Sequence, residues 1–442
     1  MAIAAGEVRK GLSADALFRS LRSHFGSLDD PRSGEVEIPL GDVLMSAFAM
    51  FSLKDPSLLA FDHRRRDPTD NFRSIYGINR VPCDSQMRDV LDPVDPAGLR
   101  GPFREIFRRL QRGTVLKRFL YLEGHYLLSL DGTTYFSSAT IHCPSCLEKH
   151  HRNGGVTYSH QLLGATLVHP ELKEVIPLAP EPIIQRDGQT KNDCERNATR
   201  RWLERFRREH PHLPVIVVED ALSANAPHLR DLRAARAHYI IVVKPGDHAF
   251  LFQHLQAVDE AGRMQGLTLH DPATGILHHF RSCNGAPLNE SNPDVSVNVL
   301  EYWEIHPDGT VQHFSWITDF LLTPDNVWDI MRGGRARWKI ENETFNTLKN
   351  QGYRLGHNYG HGERNLSVVL ALMMMLAFLV DQVQQLCCPL FQAAWGKMKT
   401  KCHLWDEIRT HFRTLLFDSM AELLTALVRG IAPRKPVFEN SS

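Results

Sequence analysis

The chain has 442 residues with 51 basic and 51 acidic side chains, a formal net charge of zero. That length accommodates two or three domains. A neutral total excludes the global basic signature of many nucleic-acid binders but leaves local patches open. Such patches are "HRRR" at 63–66, "RRWLERFRR" at 200–208 and "RGGRARWK" at 332–339. Eight cysteines in a chain this long do not read as a secreted disulfide framework. The opening "MAIAAGEVRKGLS" lacks the long apolar core of a signal peptide. The most apolar run, "LSVVLALMMMLAFLV" at 366–380, is shorter than the ~20 residues a bilayer span needs. It reads as a buried core helix, and the expectation is a cytoplasmic protein without a membrane partner.

Residues 1–122 pattern as helices. "SADALFRSLRSHF" joins a Ser13 cap to apolar residues at helical spacing. "LGDVLMSAFAMFSL", "DPSLLAFDHRRR", "CDSQMRDVLD" and "DPAGLRGPFREIFRRLQRG" follow. Short helices broken by Pro and Asp suit a small region that either binds DNA or only packs. From 126 the pattern changes. Strands are expected in "YLLSLDGTTYFSS", "YSHQLLGATLVHP" and "KEVIPLAPEPII", then a helix in "KNDCERNATRRWLERFRREH". A buried strand in "LPVIVVED", a helix in "APHLRDLRAARA" and a strand in "HYIIVVK" complete an α/β pattern with a mixed sheet. Strand-like texture returns in "GLTLHD", "GILHHFRSC", "VSVNVLEYWEIH" and "TVQHFSWITDF", which reads as an inserted all-β segment. Helices resume at "TPDNVWDIM" and run to about 428. The expected division is a helical region 1–122, a catalytic core 123–261, a β insertion 262–320, completion of the core 321–362 and a C-terminal helical region 363–442.

Asp131 lies within the first strand, and Asp220 ends the strand "PVIVV", where α/β sheets gather ligands. The stretch "RARWKIENETFNTLKNQGY" at 335–353 reads as a helix with Trp338, Phe345 and Leu348 as its apolar stripe. It brackets Glu341 between Arg337 and Lys349. Three carboxylates from separate elements can hold two divalent cations about 4 Å apart, one activating the attacking oxygen and the other the leaving group. Hard Mg²⁺ prefers such oxygen ligands. The same residues also admit a plainer account. Asp131-Gly132 is a turn signal, Asp220 can cap the next segment, and Glu341 can pair with Arg337 at i, i+4.

The order of elements, the interrupting β segment and the Arg-x₃-Glu helix resemble the bacterial insertion-sequence transposases of the DDE, ribonuclease-H-like class. The specific resemblance is to the group with a Tyr-x₂-Arg-x₃-Glu-x₆-Lys signature. "LDGTTYFSS", "VVEDALS" and "RWKIENETFNTLKNQGYRLGHNYGHG" look like blocks of that group. The resemblance implies Asp131, Asp220 and Glu341 as a metal-binding catalytic triad for Mg²⁺ or Mn²⁺, with Arg337 on DNA phosphate. It further implies hydrolysis at the element's ends and strand transfer of the 3′-hydroxyl into target DNA. The partners implied are double-stranded terminal inverted repeats, target DNA and a second copy of the chain, at the bacterial nucleoid. Two positions depart from the group. Gly334 stands at the tyrosine position, and Lys349 comes one residue late, a rotation of about 100° on an α-helix. Glu343 is a competing acid, but only Glu341 keeps the arginine spacing. Two rival readings are a catalytically inactive relic that still binds its DNA ends and a metal-dependent nuclease that cuts without joining.

Secondary signals remain. Arg335 and Lys339 belong to the same basic stretch and are candidates for DNA contact. Trp303 and Trp316 sit in the β insertion, where the resembled group can stack an aromatic on a flipped base; the plainer role is core. Cys143 and Cys146 in "CPSC" have the spacing of half a structural zinc clip, with His150, His151 and His160 nearby and Cys194 further on. The plainer role is a pair of reduced thiols in a loop. "GYRLGHNYGHGERN" is expected to face DNA or simply to join two helices.

Overall fold

The computed structural model describes residues 11–67, 70–185 and 193–430. The first ten residues, on which part of the leader reading falls, lie outside them. Six helices open the described chain: α1 (Ala14–Phe25), α2 (Leu40–Ser52), α3 (Leu58–Arg64), α4 (Asn71–Tyr76), α5 (Asp84–Leu91) and α6 (Arg100–Arg112). Ser13 caps α1 as its position suggests, its Oγ accepting from the Ala16 N–H at 3.3 Å. Every residue of α2 is buried, as its largely apolar sequence suggests, and its one acid, Asp42, is paired with Arg22 at 2.6 Å.

Strands β1 (Tyr126–Ser138), β2 (Leu147–His150), β3 (Val156–Val168), β4 (Ile176–Pro177) and β5 (Glu181–Ile183) follow. Then come α7 (Glu195–Glu209), β6 (Val215–Glu219), α8 (Ala226–Ala234), β7 (His238–Val242) and α9 (Ala249–Glu260). The third expected strand is split into β4 and β5, both of which pair with β3. Strands β8 (Gln265–His270), β9 (Leu277–Pro287), β10 (Ser296–Ile305) and β11 (Val311–Thr318) occupy the β-rich stretch.

All eleven strands form one sheet; nine follow the order β2-β3-β1-β6-β7-β11-β10-β9-β8, and β4 and β5 join it off that path through β3. β3 runs antiparallel to β1, whereas β1, β6 and β7 are mutually parallel neighbours. That mixed arrangement is ribonuclease-H-like. Strands β8–β11 extend it. β11 pairs antiparallel with β7 through Trp316 against Val242 and Ile317 against Ile241, so these four strands lengthen the sheet and cover what would be an open edge at β7.

The chain then forms α10 (Val327–Arg335), a π-helical turn (Ile340–Phe345) and α11 (Asn346–Asn350). Four helices close it: α12 (Leu366–Cys387), α13 (Pro389–Met398), α14 (Lys401–Thr414) and α15 (Met420–Arg429). α12 is long and apolar enough to cross a membrane, but it is almost wholly buried within the protein. It packs on α2, so the first and last helical stretches share a core. The buried Lys54 ammonium ties them together. It donates to Asp381 at 2.6 Å and to the carbonyls of Phe51 and Ser52, and lies 4.1 Å from the ring centroids of Tyr353 and Trp405. Asp92 caps α12 across the fold, its Oδ1 accepting from the N–H groups of Arg364, Asn365 and Leu366.

Candidate active site

Asp131 is no turn residue. It lies inside β1, opposite Gly164 of β3. The parallel register of β1 and β6 ends with Ser129 beside Val218. Two residues further along each chain stand Asp131 and Asp220, at the point where the strands part and β6 gives way to a loop. Asp220 also caps that loop, its Oδ1 accepting from the Leu222 N–H at 3.0 Å. The strand end beneath it is anchored by Glu219, which is buried against His228 of α8 at 2.5 Å. Burial disfavours the imidazolium of His228, but the Glu219 carboxylate prevails and raises its pKa.

Glu341 arrives from the other side on the π-helical turn. The Ser129 hydroxyl donates to the Arg337 carbonyl at 3.2 Å, fixing this segment to β1. Gly164 leaves room for the Phe345 ring and Ile340 to lie against β3. The electrostatics show that the three acids converge. Burial pushes the Asp131 carboxyl up to about 6; the Arg337 guanidinium opposes the rise, and the Asp220 and Glu341 carboxylates add to it. Glu343, two residues on, instead acts on the ammonium groups of Lys339 and Lys401.

A fourth acid was not singled out in the sequence. Glu195 opens α7, and a Cβ built on Gly132 would lie 2.7 Å from its Oε2. Its carboxyl is pushed up to about 7, first by burial and then by Asp131, Asp220 and Glu219. The only signal available was its place as the lone acid in the first turn of a basic helix.

The cations divide into two sets. Arg337 is half-buried beside the acids, its guanidinium over the Trp338 ring, and its Nε is buried without a hydrogen-bond partner among the described residues. Lys349 is exposed. Its late position in the sequence falls across the π-helical turn, where i→i+5 bonding takes up one extra residue. The turn thereby offsets the displacement expected on a continuous α-helix. Arg335 is engaged inside the protein, paired with Glu304 and lying over Phe314. Lys339 donates to the Leu172 carbonyl at 2.7 Å. The other basic runs are similarly occupied: Arg64 pairs with Asp55, Arg65 and Arg66 with Asp62, and Arg201 and Arg205 with Glu181.

The tryptophans exchange their expected places. Trp338 is half exposed and does not join the buried Phe345 and Leu348. Trp316 is 1% exposed, and a Cβ on Gly334 would lie 2.4 Å from its Nε1. The indole fills the space that a side chain at 334 would need, which accounts for glycine there. Between Asp220, β7, β11 and Gly334–Trp338 opens a cavity of about 370 Å³, with Trp316 in its wall.

Away from the acids, four soft ligands meet. Sγ of Cys143 and Sγ of Cys146 are 3.9 Å apart, with His160 Nε2 3.4 Å from the former and His361 Nε2 3.3 Å from the latter. All four residues are buried and their ligand atoms lie within 4.8 Å of one another. His150 and His151 are exposed and outside the group, as is Cys194. The loop expected to face DNA therefore turns His361 inward.

A mixed sheet with this strand order, with acids on β1, at the exit of β6 and on a later helical turn, defines the ribonuclease-H-like class. Residues 182–379 match the family model of the transposase DDE domain, which supports a likeness to DDE-type insertion-sequence transposases. The matched span holds Asp220 and Glu341; Asp131 precedes it. No curated protein matches the chain significantly.

Proposed function

We propose that the chain is a DNA transposase that hydrolyses phosphodiesters at the ends of its element and transfers the freed 3′-hydroxyl into target DNA. The observation that carries this reading is the convergence of Asp131, Asp220 and Glu341. Burial, with the Asp220 and Glu341 carboxylates beside it, pushes the Asp131 carboxyl up to about 6 against the Arg337 guanidinium, an excess of negative charge that divalent cations would relieve. The donors are all hard carboxylate oxygens, which suits Mg²⁺ or Mn²⁺ and not a softer ion. When bound, two such cations would supply Lewis acidity at the attacking and leaving oxygens.

The chain's own groups do the rest. Asp131 is held inside β1 and Asp220 just beyond the end of β6, so their separation is set before substrate arrives. Arg337 is positioned to hold a phosphate of the scissile strand, and exposed Lys349 to hold one farther along, by charge-assisted hydrogen bonds. Arg335, Lys339 and Trp316 would reach DNA only by leaving partners they now have. A concavity of about 650 Å³ between α1 and α6, carrying Arg19, Arg104 and Arg108, offers the helical region a second phosphate-facing surface. Pairing two DNA ends calls for two copies of the chain, acting in the bacterial cytoplasm.

The test is cleavage and strand transfer on DNA carrying the flanking inverted repeats, with Mg²⁺ and then EDTA. Wild type should cut and join only with metal, while Glu341→Gln binds the ends and does neither. End binding without cutting in any metal would favour the inactive relic, and cutting without joining of a supplied 3′-hydroxyl would favour the nuclease. Full activity of Glu341→Gln would remove this glutamate from the site.

A further inference from the structure

We propose that Cys143, Cys146, His160 and His361 bind one structural zinc ion, which ties the segment leaving the catalytic helix to the strands that carry the site. The inference rests on geometry alone and is independent of the proposed reaction. A tetrahedral zinc with Zn–S of about 2.3 Å and Zn–N of about 2.0–2.1 Å has edges of about 3.8 Å between sulphurs and about 3.6 Å between sulphur and nitrogen. The edges here are 3.9 Å between sulphurs and 3.4 and 3.3 Å between sulphur and nitrogen. A disulfide would bring the sulphurs to about 2.05 Å. A two-iron cluster would hold the cysteine pair and the histidine pair farther apart than 4.8 Å, because each pair sits on its own metal.

The local chain is built for this arrangement. Cys143 and Cys146 form a tight turn, with the Cys146 N–H donating to the Cys143 carbonyl at 3.0 Å and the Cys143 N–H to the Cys146 sulphur at 3.4 Å. Such amide contacts to sulphur stabilise thiolates. His160 enters from β3, where it pairs with Phe136 of β1. The Phe136 ring lies 4.3 Å from His361 and helps exclude water.

Each imidazole presents Nε2 to a sulphur, a weak hydrogen-bond partner. Each also has its Nδ1 buried with no partner among the described residues. Burying two imidazoles on those terms costs free energy that hydrogen bonding does not return. A cation bound by both Nε2 atoms would return it. Two thiolates and two neutral imidazoles also cancel the charge of Zn²⁺, so the loaded site is neutral in an apolar setting. With four protein ligands the site is closed, which fits a structural role and not a catalytic one. His361 is supplied from 201 positions beyond His160 in the chain, so the ion would clamp the stretch after α11 onto β1 and β3.

The test is the metal content of the full chain, purified without chelator from zinc-supplemented cells, read by mass spectrometry of the elements. About one zinc per chain is expected, with two thiol protons released on loading the stripped protein. Replacement by Co²⁺ should give the intense visible bands of tetrahedral cobalt with sulphur-to-metal charge transfer. His361→Asn should lower the zinc content at least about fivefold and reduce the melting temperature, while exposed His357→Asn leaves both unchanged. Should His361→Asn fail to fold, the wild-type stoichiometry and cobalt spectrum decide alone. Folded wild-type protein without stoichiometric zinc, a cobalt spectrum lacking sulphur charge transfer, or a Cys143–Cys146 disulfide in the purified chain would each overturn the proposal.

Discussion

The carboxylate cluster takes Asp131 from β1 and the Cys/His cluster takes His160 from its neighbour β3, and both are completed by residues from the 337–361 stretch, but they are opposites in chemistry. The carboxylate cluster is hard, open to a cavity and electrostatically strained, with Asp131 and Glu195 pushed up to about 6 and about 7. The Cys/His cluster is soft and buried, with its four candidate ligand atoms within 4.8 Å of one another. The contrast teaches that placing titratable groups together on one scaffold says little by itself. Donor hardness and access separate a site suited to chemistry from one suited to bracing.

The largest effect should come from Asp220→Asn. Strand transfer is expected to fall by about a thousandfold or more, with end binding and melting temperature nearly unchanged, as read by a gel assay beside a thermal melt. Loss of folding instead would mean that Asp220 serves mainly as a cap. Next comes metal removal. EDTA at neutral pH should abolish cleavage and lower the melting temperature only slightly, whereas a thiol-reactive mercurial should lower it by several degrees. Equal responses of the two sites would erase the contrast between them.

A smaller effect concerns stability and has a defined sign. The folded-state pKa of Asp131 lies above its usual 3.8, so the folded protein holds that proton more tightly. Stability is therefore lost as pH rises from about 4 through about 6, and the penalty is complete above that. Asp131→Asn should stabilise the metal-free protein by about 1–3 kcal/mol at pH 7.5 and by nothing at pH 4. Destabilisation at pH 7.5 would indicate that the carboxylate has a structural partner. The smallest effect is expected for Lys349→Ala. It should weaken end binding modestly and reduce the slope of log affinity against log salt by about one. An unchanged slope would place Lys349 away from the DNA.

Much of the core was legible because its strands are local apolar runs. The expected strands at 126–138, 158–170 and 238–244 coincide with β1, β3 and β7 to within a few residues. What escaped was non-local. Nothing in "TVQHFSWITDF" says that β11 will pair with β7. Trp338 looked like core because helical spacing assumes an unbroken helix, and the chain there is broken between α10 and the π-helical turn. The same turn explains why Lys349 seemed displaced. Of the two clusters, Asp131, Asp220 and Glu341 were open to proposal from the sequence, because two lie at a strand or its end and the third keeps the Arg-x₃-Glu spacing of the resembled group. Glu195 and His361 were not, because one is hidden in a basic helix and the other lies far along the chain from its partners.

The most direct test of the central claim, that these carboxylates ligate catalytic metal, is Asp220→Cys assayed for strand transfer in Mg²⁺ and in Mn²⁺. A thiolate is a poor ligand for Mg²⁺ and a better one for Mn²⁺. The account predicts an enzyme silent in Mg²⁺ that regains activity in Mn²⁺. Activity in Mg²⁺ equal to wild type, or no recovery in Mn²⁺ by a variant that still folds and binds its ends, would contradict it.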